Sequence, residues 1–170
     1  MVELIPNFLS SSECNKLINF YKINQNENFR YNKSFPLNLT EIINNHVIDN
    51  EQHYIINCTK QKIDNILSLK TNVPFKLYNA EIVKWPILSD MHYHHDANGT
   101  EFSCIIYLND NYIGGNTMIN DKIIKKKKGS LLIMKNSDKI LHKVTKNIFG
   151  VRYTFPLWYG NQHYFLSKNT

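Results

Sequence analysis

Arginine and cysteine are scarce in this chain of 170 residues, and it has no long apolar run. Three cysteines, at positions 14, 58 and 104, are too few and too far apart for a disulfide framework or a zinc ligand set. We therefore expect a reduced, intracellular setting. No apolar run approaches the ~18 residues of a membrane span. The start, Met-Val-Glu-Leu-Ile-Pro, has no basic region before an apolar stretch, so we expect no signal peptide and no membrane partner.

Basic charge is carried almost entirely by lysine. Lys and Arg together number 20, but the only arginines are Arg30 and Arg152, so each deserves a specific explanation. The abundance of Asn, Ile and Lys suggests an AT-rich genome, bacterial, phage or viral. A hydrophobic content of 42% with 20% charged residues excludes a disordered chain. The length favours one domain over residues 1–170, as a monomer or weak dimer.

Residues 1–72 carry helical signals. Ser10 and Glu13 form a capping box, which predicts a helix from about Ser11 to Ile23. Residues 24–38 are predicted to form a loop. A second helix is predicted from about Asn50 to Leu69. The expected buried stripe of that helix consists of Ile55, Cys58, Ile63, Ile66 and Leu67.

Residues 73–165 carry strand signals instead. Short runs rich in β-branched and aromatic residues alternate with turn residues, which favours an all-β sandwich or barrel. Because the helices come first and the strands follow, we expect the helices to support one sheet from outside. The predicted strands are Tyr78–Trp85, Met91–His95, Phe102–Asn109, Asn116–Asn120, Ser130–Lys135, Ile140–Thr145 and Val151–Tyr159.

A possible metal site begins with His94-His95-Asp96. Side chains two residues apart on a strand share a face, so His94 and Asp96 can converge on one ion. His142, in another strand-like run, is a candidate third ligand. Two histidines and one carboxylate form the facial triad of non-haem Fe(II) oxygenases. The His-x-Asp pattern alone is weak, since about 0.3 occurrences are expected by chance, but Arg152 follows His142 by ten residues.

From about Glu81 to Tyr159 the chain resembles the 2-oxoglutarate and Fe(II)-dependent dioxygenases, in their prolyl 4-hydroxylase-like branch. The resemblance implies a double-stranded β-helix, a jelly-roll barrel supported by N-terminal helices. The pieces that carry it are His94-His95-Asp96, Tyr107-Leu108-Asn109, Gly114-Gly115-Asn116-Thr117, Lys128-Gly129-Ser130-Leu131, His142-Lys143-Val144, and Gly150-Val151-Arg152-Tyr153 with Trp158.

The resemblance also implies roles for single residues. His94, Asp96 and His142 match the iron ligands, and Arg152 matches the basic residue that holds the distal carboxylate of 2-oxoglutarate. Tyr107 and Thr117 are further candidates for binding this cosubstrate, and Trp158 is a candidate for the substrate pocket. The implied cofactors are Fe(II), 2-oxoglutarate and O₂, with ascorbate as an optional addition. The implied reaction hydroxylates a C–H bond while 2-oxoglutarate is decarboxylated to succinate.

The substrate is less well defined by the sequence. Peptidyl proline is the leading interpretation, but Trp85-Pro86-Ile87-Leu88 replaces the usual tyrosine- and glycine-containing segment. The alternatives are a free amino acid, another small molecule or a nucleobase, or a jelly-roll binding module without catalysis. Nucleic acid is disfavoured because Trp158 stands where base demethylases of this superfamily have a second arginine. The run Lys125–Lys128 is interpreted as a solvated turn.

Overall fold

The computed structural model describes residues 1–25, 30, 32–137 and 140–161. Three helices lie in the first half of the chain: α1 (Ser11–Asn24), α2 (Thr40–Asn44) and α3 (Glu51–Thr71). Helix α1 begins at the capping box of Ser10 and Glu13, as predicted. Helix α3 begins after Asn50, whose side chain accepts a hydrogen bond from the backbone of His53.

Strands make up most of the second half of the chain. Those that the sequence indicated begin and end within three residues of the expected positions. The described strands are β1 (Val2–Ile5), β2 (Phe35–Asn38), β3 (Phe75–Trp85), β4 (Met91–His94), β5 (Thr100–Tyr107), β6 (Ile113–Gly114), β7 (Thr117–Ile119), β8 (Lys122–Ile123), β9 (Leu131–Lys135), β10 (His142–Val144), β11 (Asn147–Phe149) and β12 (Arg152–Asn161).

The strands form antiparallel sheets in the arrangement of a double-stranded β-helix. The major sheet has six strands in the order β1-β9-β5-β12-β3-β2, and the minor sheet has four in the order β4-β10-β7-β8. Strands β6 and β11 pair separately. The fold class expected from the sequence is therefore confirmed.

The major sheet is buried on both faces. Its outer face packs on the helices, with Ile82, Cys104 and Phe155 in one apolar cluster with helical residues such as Leu17 and Ile63. Its inner face turns toward the minor sheet, where Val83 and Trp85 pack against Val144. This arrangement confirms that the helices support one sheet from outside. It also leaves the space between the sheets for a site.

The expected buried stripe of α3 is partly confirmed. Ile55, Ile63 and Leu67 are buried, whereas Cys58 is only half-buried. Ile66 packs partly exposed against the core. Ile56 and Thr59, which were not expected, are buried instead, so the apolar face is rotated slightly around the helix.

The prediction of a loop over residues 24–38 is wrong at its end. Residues 35–38 form β2, which pairs with β3 from Phe35 opposite Lys84 to Asn38 opposite Glu81. Pro36 obscured this strand, because proline cannot donate to a sheet ladder. Here β2 is an edge strand, where a missing donor is tolerated. Residues 26–29 and 31 of the expected loop lie outside the described residues.

The interpretation of residues 125–128 as a solvated turn also needs correction. The ammonium group of Lys126 donates to the backbone oxygen atoms of Tyr112 and Gly114, at 2.7 and 3.2 Å, and lies 3.7 Å from the ring centroid of Tyr112. Lys128 Nζ donates to Asn15 on α1 at 2.6 Å. Lys126 and Lys128 are therefore partly buried and hydrogen-bonded, whereas Lys125 and Lys127 are exposed, as a solvated turn requires.

No helix in the described part of the chain is both long and apolar enough to cross a bilayer.

One buried asparagine fixes the segment that leads to the metal-ligand candidates. The side-chain amide of Asn147 donates to the backbone oxygen atoms of Trp85, Pro86 and Gly150, at 3.0, 3.2 and 2.8 Å. The backbone of Asn147 also exchanges hydrogen bonds with Leu88 and Ser89. Residues 86–89 are thereby tied to β11, immediately before β4.

Replacing Asn147 tests how much its side-chain amide contributes to the stability of the fold. We expect Asn147→Ala to lower the free energy of unfolding by about 2–3 kcal/mol, because a buried amide that donates to three backbone carbonyl groups is lost. The measurement is urea-induced unfolding followed by circular dichroism. Asn65→Ala, at an exposed position of α3, is the matched control and should change the stability little. Equal stabilities of the two variants would contradict this role of Asn147.

Candidate functional site

The two histidines among the candidate metal ligands lie on neighbouring strands of the minor sheet. His94 is the last residue of β4 and lies directly opposite His142, the first residue of β10. We expected Asp96 to share a strand face with His94. It follows β4 by two residues, so it lies just beyond the strand. The antiparallel pairing of β4 and β10 is what brings together residues that are 48 positions apart in the chain.

These three side chains converge. The ring centroids of His94 and His142 are 4.2 Å apart, and His142 Nε2 lies 3.6 Å from Asp96 Oδ2. One potential ligand atom from each residue lies within 4.8 Å of the other two. Two nitrogen atoms and one carboxylate oxygen at this spacing are a donor set that suits Fe(II) and leaves coordination positions open.

Each histidine is prepared for ligation in its own way. His94 Nδ1 is 2.8 Å from the carbonyl oxygen of His92, which leaves Nε2 free to bind a metal. His92 itself is exposed, so it contributes its backbone rather than its ring. Burial lowers the pKa of His142 well below its usual value, so this ring is neutral at physiological pH, the form that binds metals.

Both oxygen atoms of the Asp96 carboxylate accept a hydrogen bond, which fixes the orientation of the group. Trp158 Nε1 donates to Oδ1 at 3.1 Å, and the hydroxyl of Ser103 donates to Oδ2. The side-chain amide of Asn136 in turn donates to Ser103 Oγ at 3.2 Å. Trp158 was expected only to line a substrate pocket; it lines the cavity and also holds the carboxylate.

Arg152 lies deep between the sheets, at the start of β12. Its residue is only 1% exposed, and its guanidinium carbon lies 5.0 Å from the ring centroid of Trp85 and 5.9 Å from that of Tyr107. One terminal nitrogen, Nη2, donates to Thr117 Oγ1 at 3.1 Å. The other nitrogen atoms, Nε and Nη1, have no hydrogen-bond partner within the described residues. No carboxylate in the described part of the chain forms an ion pair with this cation.

Two phenol groups share this environment. The hydroxyl groups of Tyr107 and Tyr112 are buried and make no hydrogen bond of ordinary geometry among the residues described, although Tyr107 lies near Thr117 and Tyr112 lies near Arg152. Burial raises the pKa of Tyr107 to about 12 and also raises that of Tyr112, so both are protonated donors at neutral pH. Because unpaired buried donors are costly, a guanidinium and two phenols left unpaired together indicate a place for an anionic ligand. A dicarboxylate such as 2-oxoglutarate fits this donor set.

One cavity joins the candidate ligands to Arg152. Its walls are mostly apolar, with polar groups at the metal-ligand candidates and at the buried arginine. The lining residues are Arg30, Val83, Trp85, Met91, His94, Asp96, Ser103, Ile105, Thr117, His142, Val144, Arg152, Thr154, Pro156 and Trp158.

The comparisons with known proteins agree with this geometry. The profile of the 2OG-Fe(II) oxygenase superfamily matches residues 88–160. The matched residues carry the signature of this superfamily, and the chain is a 2-oxoglutarate-dependent dioxygenase that uses Fe(II) and 2-oxoglutarate. A search by sequence among curated proteins found no match.

Solved structures of prolyl hydroxylases have the same fold as this dioxygenase. A viral collagen prolyl hydroxylase from Paramecium bursaria chlorella virus 1, in complex with 2-oxoglutarate, is 19% identical, with a TM-score of 0.75 over 94% of this chain and 95% of that one. A Trichoplax adhaerens prolyl hydroxylase, bound to a hypoxia-inducible factor peptide fragment, is 17% identical with a TM-score of 0.74 over 95% and 84%. A Pseudomonas putida prolyl-4-hydroxylase is 14% identical, also with 0.74, over 95% and 92%.

Sequence reasoning found the metal-ligand candidates, Arg152 and Thr117, and the structure places all of them around one cavity. It also found Tyr107, which does not line the cavity but lies behind it, with its ring centroid 5.9 Å from the Arg152 guanidinium carbon. It missed Tyr112, because the segment from Asn109 to Asn111 read only as a turn. Ser103, Ile105 and Tyr107 alternate along β5 and so share one face, and Ser103 and Ile105 line the cavity. That alternation is a signal for Ser103 in the sequence, but its partner, Asp96, lies in the segment after β4.

The hydrogen bond from Ser103 to Asp96 should affect metal affinity. We expect Ser103→Ala to weaken Fe(II) binding by about tenfold to a hundredfold, because an oriented ligand binds better than a freely rotating one. The measurement is an anaerobic Fe(II) titration in competition with a chelator. Ser137→Ala, an exposed serine outside the cavity, serves as the control. Unchanged Fe(II) affinity in Ser103→Ala would show that the hydroxyl does not position the carboxylate.

Proposed function

We propose that this dioxygenase hydroxylates peptidyl proline, with His94, Asp96 and His142 as the iron ligands and Arg152 as the anchor for 2-oxoglutarate. The observation that carries the proposal is the buried guanidinium of Arg152, which has no carboxylate partner among the described residues and lies in the same cavity as the three converging ligand groups. A buried cation without a carboxylate partner is unfavourable unless a ligand supplies one. The distal carboxylate of 2-oxoglutarate supplies that partner.

Several side chains at and around Arg152 contribute to binding this carboxylate. Arginine binds a carboxylate through two parallel N–H bonds, and Nε with Nη1 is a suitable pair because Nη2 is already held by Thr117. The hydroxyl of Tyr107 donates a further hydrogen bond to the same carboxylate, and Tyr112 is a second candidate donor. Thr117 accepts a hydrogen bond from Arg152, so its role is to orient the guanidinium toward the cosubstrate.

When bound, iron and 2-oxoglutarate supply O₂ activation and the oxidising power for C–H hydroxylation, with succinate as the co-product. The chain's own residues bind and orient these groups. Trp158 and Ser103 hold the Asp96 carboxylate in place, and the His92 carbonyl fixes the tautomer of His94. Val83, Trp85 and Val144 form an apolar wall that limits the access of water.

Proline is supported as the target by the fold and by the cavity wall. Three structures that share this fold are named as prolyl hydroxylases, and one of them holds a peptide. Near Asp96 the wall is formed by Trp158, Pro156 and Ile105, which suit an apolar ring. An aromatic face packs well against a pyrrolidine ring because both surfaces are apolar.

The first test concerns the site residues. We expect wild-type protein, titrated anaerobically with Fe(II) and 2-oxoglutarate, to develop the visible metal-to-ligand charge-transfer band. His142→Ala should abolish the band, because one metal ligand is lost. Arg152→Ala should raise the 2-oxoglutarate concentration required by about a hundredfold, because a charge-assisted bidentate contact is lost. A folded His142→Ala protein with an undiminished band would overturn the assignment of ligands.

The second test concerns the substrate. We expect a product 16 Da heavier, with equimolar succinate, from peptides that contain proline, and no such product when alanine replaces every proline in the same peptides. Mass spectrometry after turnover measures the product. Free proline and oligonucleotides are the comparison arms. A product from either of them, with none from any peptide, would overturn peptidyl proline as the substrate while leaving the reaction class intact.

A further inference from the structure

The chain's other arginine lies at the same cavity as the metal-ligand candidates. Arg30 lines the cavity, although it precedes β2 and is far in sequence from the other lining residues. Its backbone is held by a turn, in which Arg30 N donates to Ser34 O at 2.8 Å and Lys33 N donates to Arg30 O at 2.9 Å. The side chain is 31% exposed, so it is neither fully buried like Arg152 nor free in solvent.

A buried carboxylate holds this arginine. Arg30 Nη2 forms an ion pair with Glu81 Oε2, and the Glu81 side chain is only 7% exposed. Glu81 shares the inner face of β3 with Val83 and Trp85, since the three residues alternate along the strand. On that face its carboxylate points toward the cavity side of the sheet rather than toward the helices.

Both oxygen atoms of this carboxylate already have a partner, and Glu81 is not among the residues that line the cavity. Its other oxygen, Oε1, accepts from Asn79 Nδ2 at 3.1 Å. Asn79 is itself fixed, because its side-chain oxygen accepts hydrogen bonds from Asn38 Nδ2 and Thr40 Oγ1, both at 3.1 Å. Glu81 is therefore a positioning group, and Arg30 is the member of the pair that presents free donors to the cavity.

The guanidinium retains most of its hydrogen-bonding capacity. It has five N–H donors in a planar fork. Within the described residues, Glu81 is the only hydrogen-bond partner of its side chain. Val83, Pro156 and Trp158, which line the same cavity as Arg30, offer no acceptor side chain. A substrate in this cavity would therefore meet unused donors at Arg30.

We propose that Arg30 is a substrate-binding residue whose guanidinium, neutralised and oriented by Glu81, donates hydrogen bonds to main-chain carbonyl oxygens of a bound peptide. This inference rests on the proposed function. The ion pair carries no net charge, so it favours a neutral acceptor over a free carboxylate, which would also be repelled by Glu81. A peptide carbonyl is such an acceptor, whereas a free amino acid would present a carboxylate.

The chain offers a specific reporter for this binding. Its two tryptophans, Trp85 and Trp158, both line the cavity. Intrinsic fluorescence should therefore respond to a peptide that enters it. The probe is an acetylated and amidated peptide of Pro-Pro-Gly repeats, which has no free carboxylate, and free proline is the comparison ligand. Fluorescence binding, kcat and KM are measured with the full chain, loaded with Fe(II) and 2-oxoglutarate.

We expect Arg30→Gln to raise the KM and the dissociation constant for the capped peptide by about tenfold to a hundredfold, because hydrogen bonds from a charged donor are lost. The KM for 2-oxoglutarate and the slow substrate-independent formation of succinate should not change, because Arg152 is untouched. Arg30→Lys, which keeps the charge opposite Glu81 but loses the fork, should recover part of the affinity. Lys16→Gln, which removes a cation from an exposed ion pair with Glu51, is the matched control.

Glu81→Gln separates a binding role from a structural one. It keeps the shape of the side chain but leaves Arg30 with an uncompensated charge, so binding of free proline should strengthen relative to the capped peptide. A purely structural ion pair would not shift this preference.

Several results would overturn the inference. If the wild type is active on the peptide and Arg30→Gln has the same peptide KM, the inference about Arg30 is overturned while the proposed function stands. Equal losses of peptide turnover and substrate-independent succinate formation would show that the pair is only structural. A loss confined to free proline would make Arg30 a receptor for carboxylates. If the wild type modifies no peptide at all, the proposed function itself fails, and this inference fails with it.

Discussion

The constraint on which the site depends is a positive charge buried between two sheets without an ionic partner in the described chain. Arg152 is 1% exposed, and its charge is met only by aromatic faces and one threonine hydroxyl. Such a group is tolerated because the surrounding barrel is held together by extensive apolar packing. The phenols of Tyr107 and Tyr112 lie near it, so its surroundings suit the carboxylate ligand that we propose.

The two sheets play different parts around that charge. The major sheet is anchored by helices on its outer face, so its inner face is a rigid wall that carries Arg152, Trp158 and Glu81. The minor sheet is smaller, and its β4–β10 pair brings the two histidines together. Asp96 links the two sheets, because it follows β4 but is held by Ser103 and Trp158 of the major sheet. Metal-ligand geometry thus depends on how the sheets are packed against one another.

The wall of the cavity also changes character along its length. It is polar at Arg152, apolar around Trp85 and Val83, and polar again at Arg30, which is paired with Glu81. These two polar parts correspond to the two ligands proposed above, 2-oxoglutarate at Arg152 and a peptide at Arg30. The Asn147 amide contributes from a distance, because it holds the segment from Trp85 to Ser89 that leads into β4.

The sequence alone determined the elements and the chemical types of the site. Capping at Ser10, strand alternation in β5 and the His94-x-Asp96 spacing are local signals, so they can be read without a fold. The resemblance then implied His142 and Arg152. Only the tertiary structure decided which residues meet, because β4–β10 register, the Ser103–Asp96 bond and the Arg30–Glu81 pair join segments that carry no local trace of one another. The edge strand at Pro36 and the packed Lys126 were misread for the same reason: their environment comes from distant parts of the chain.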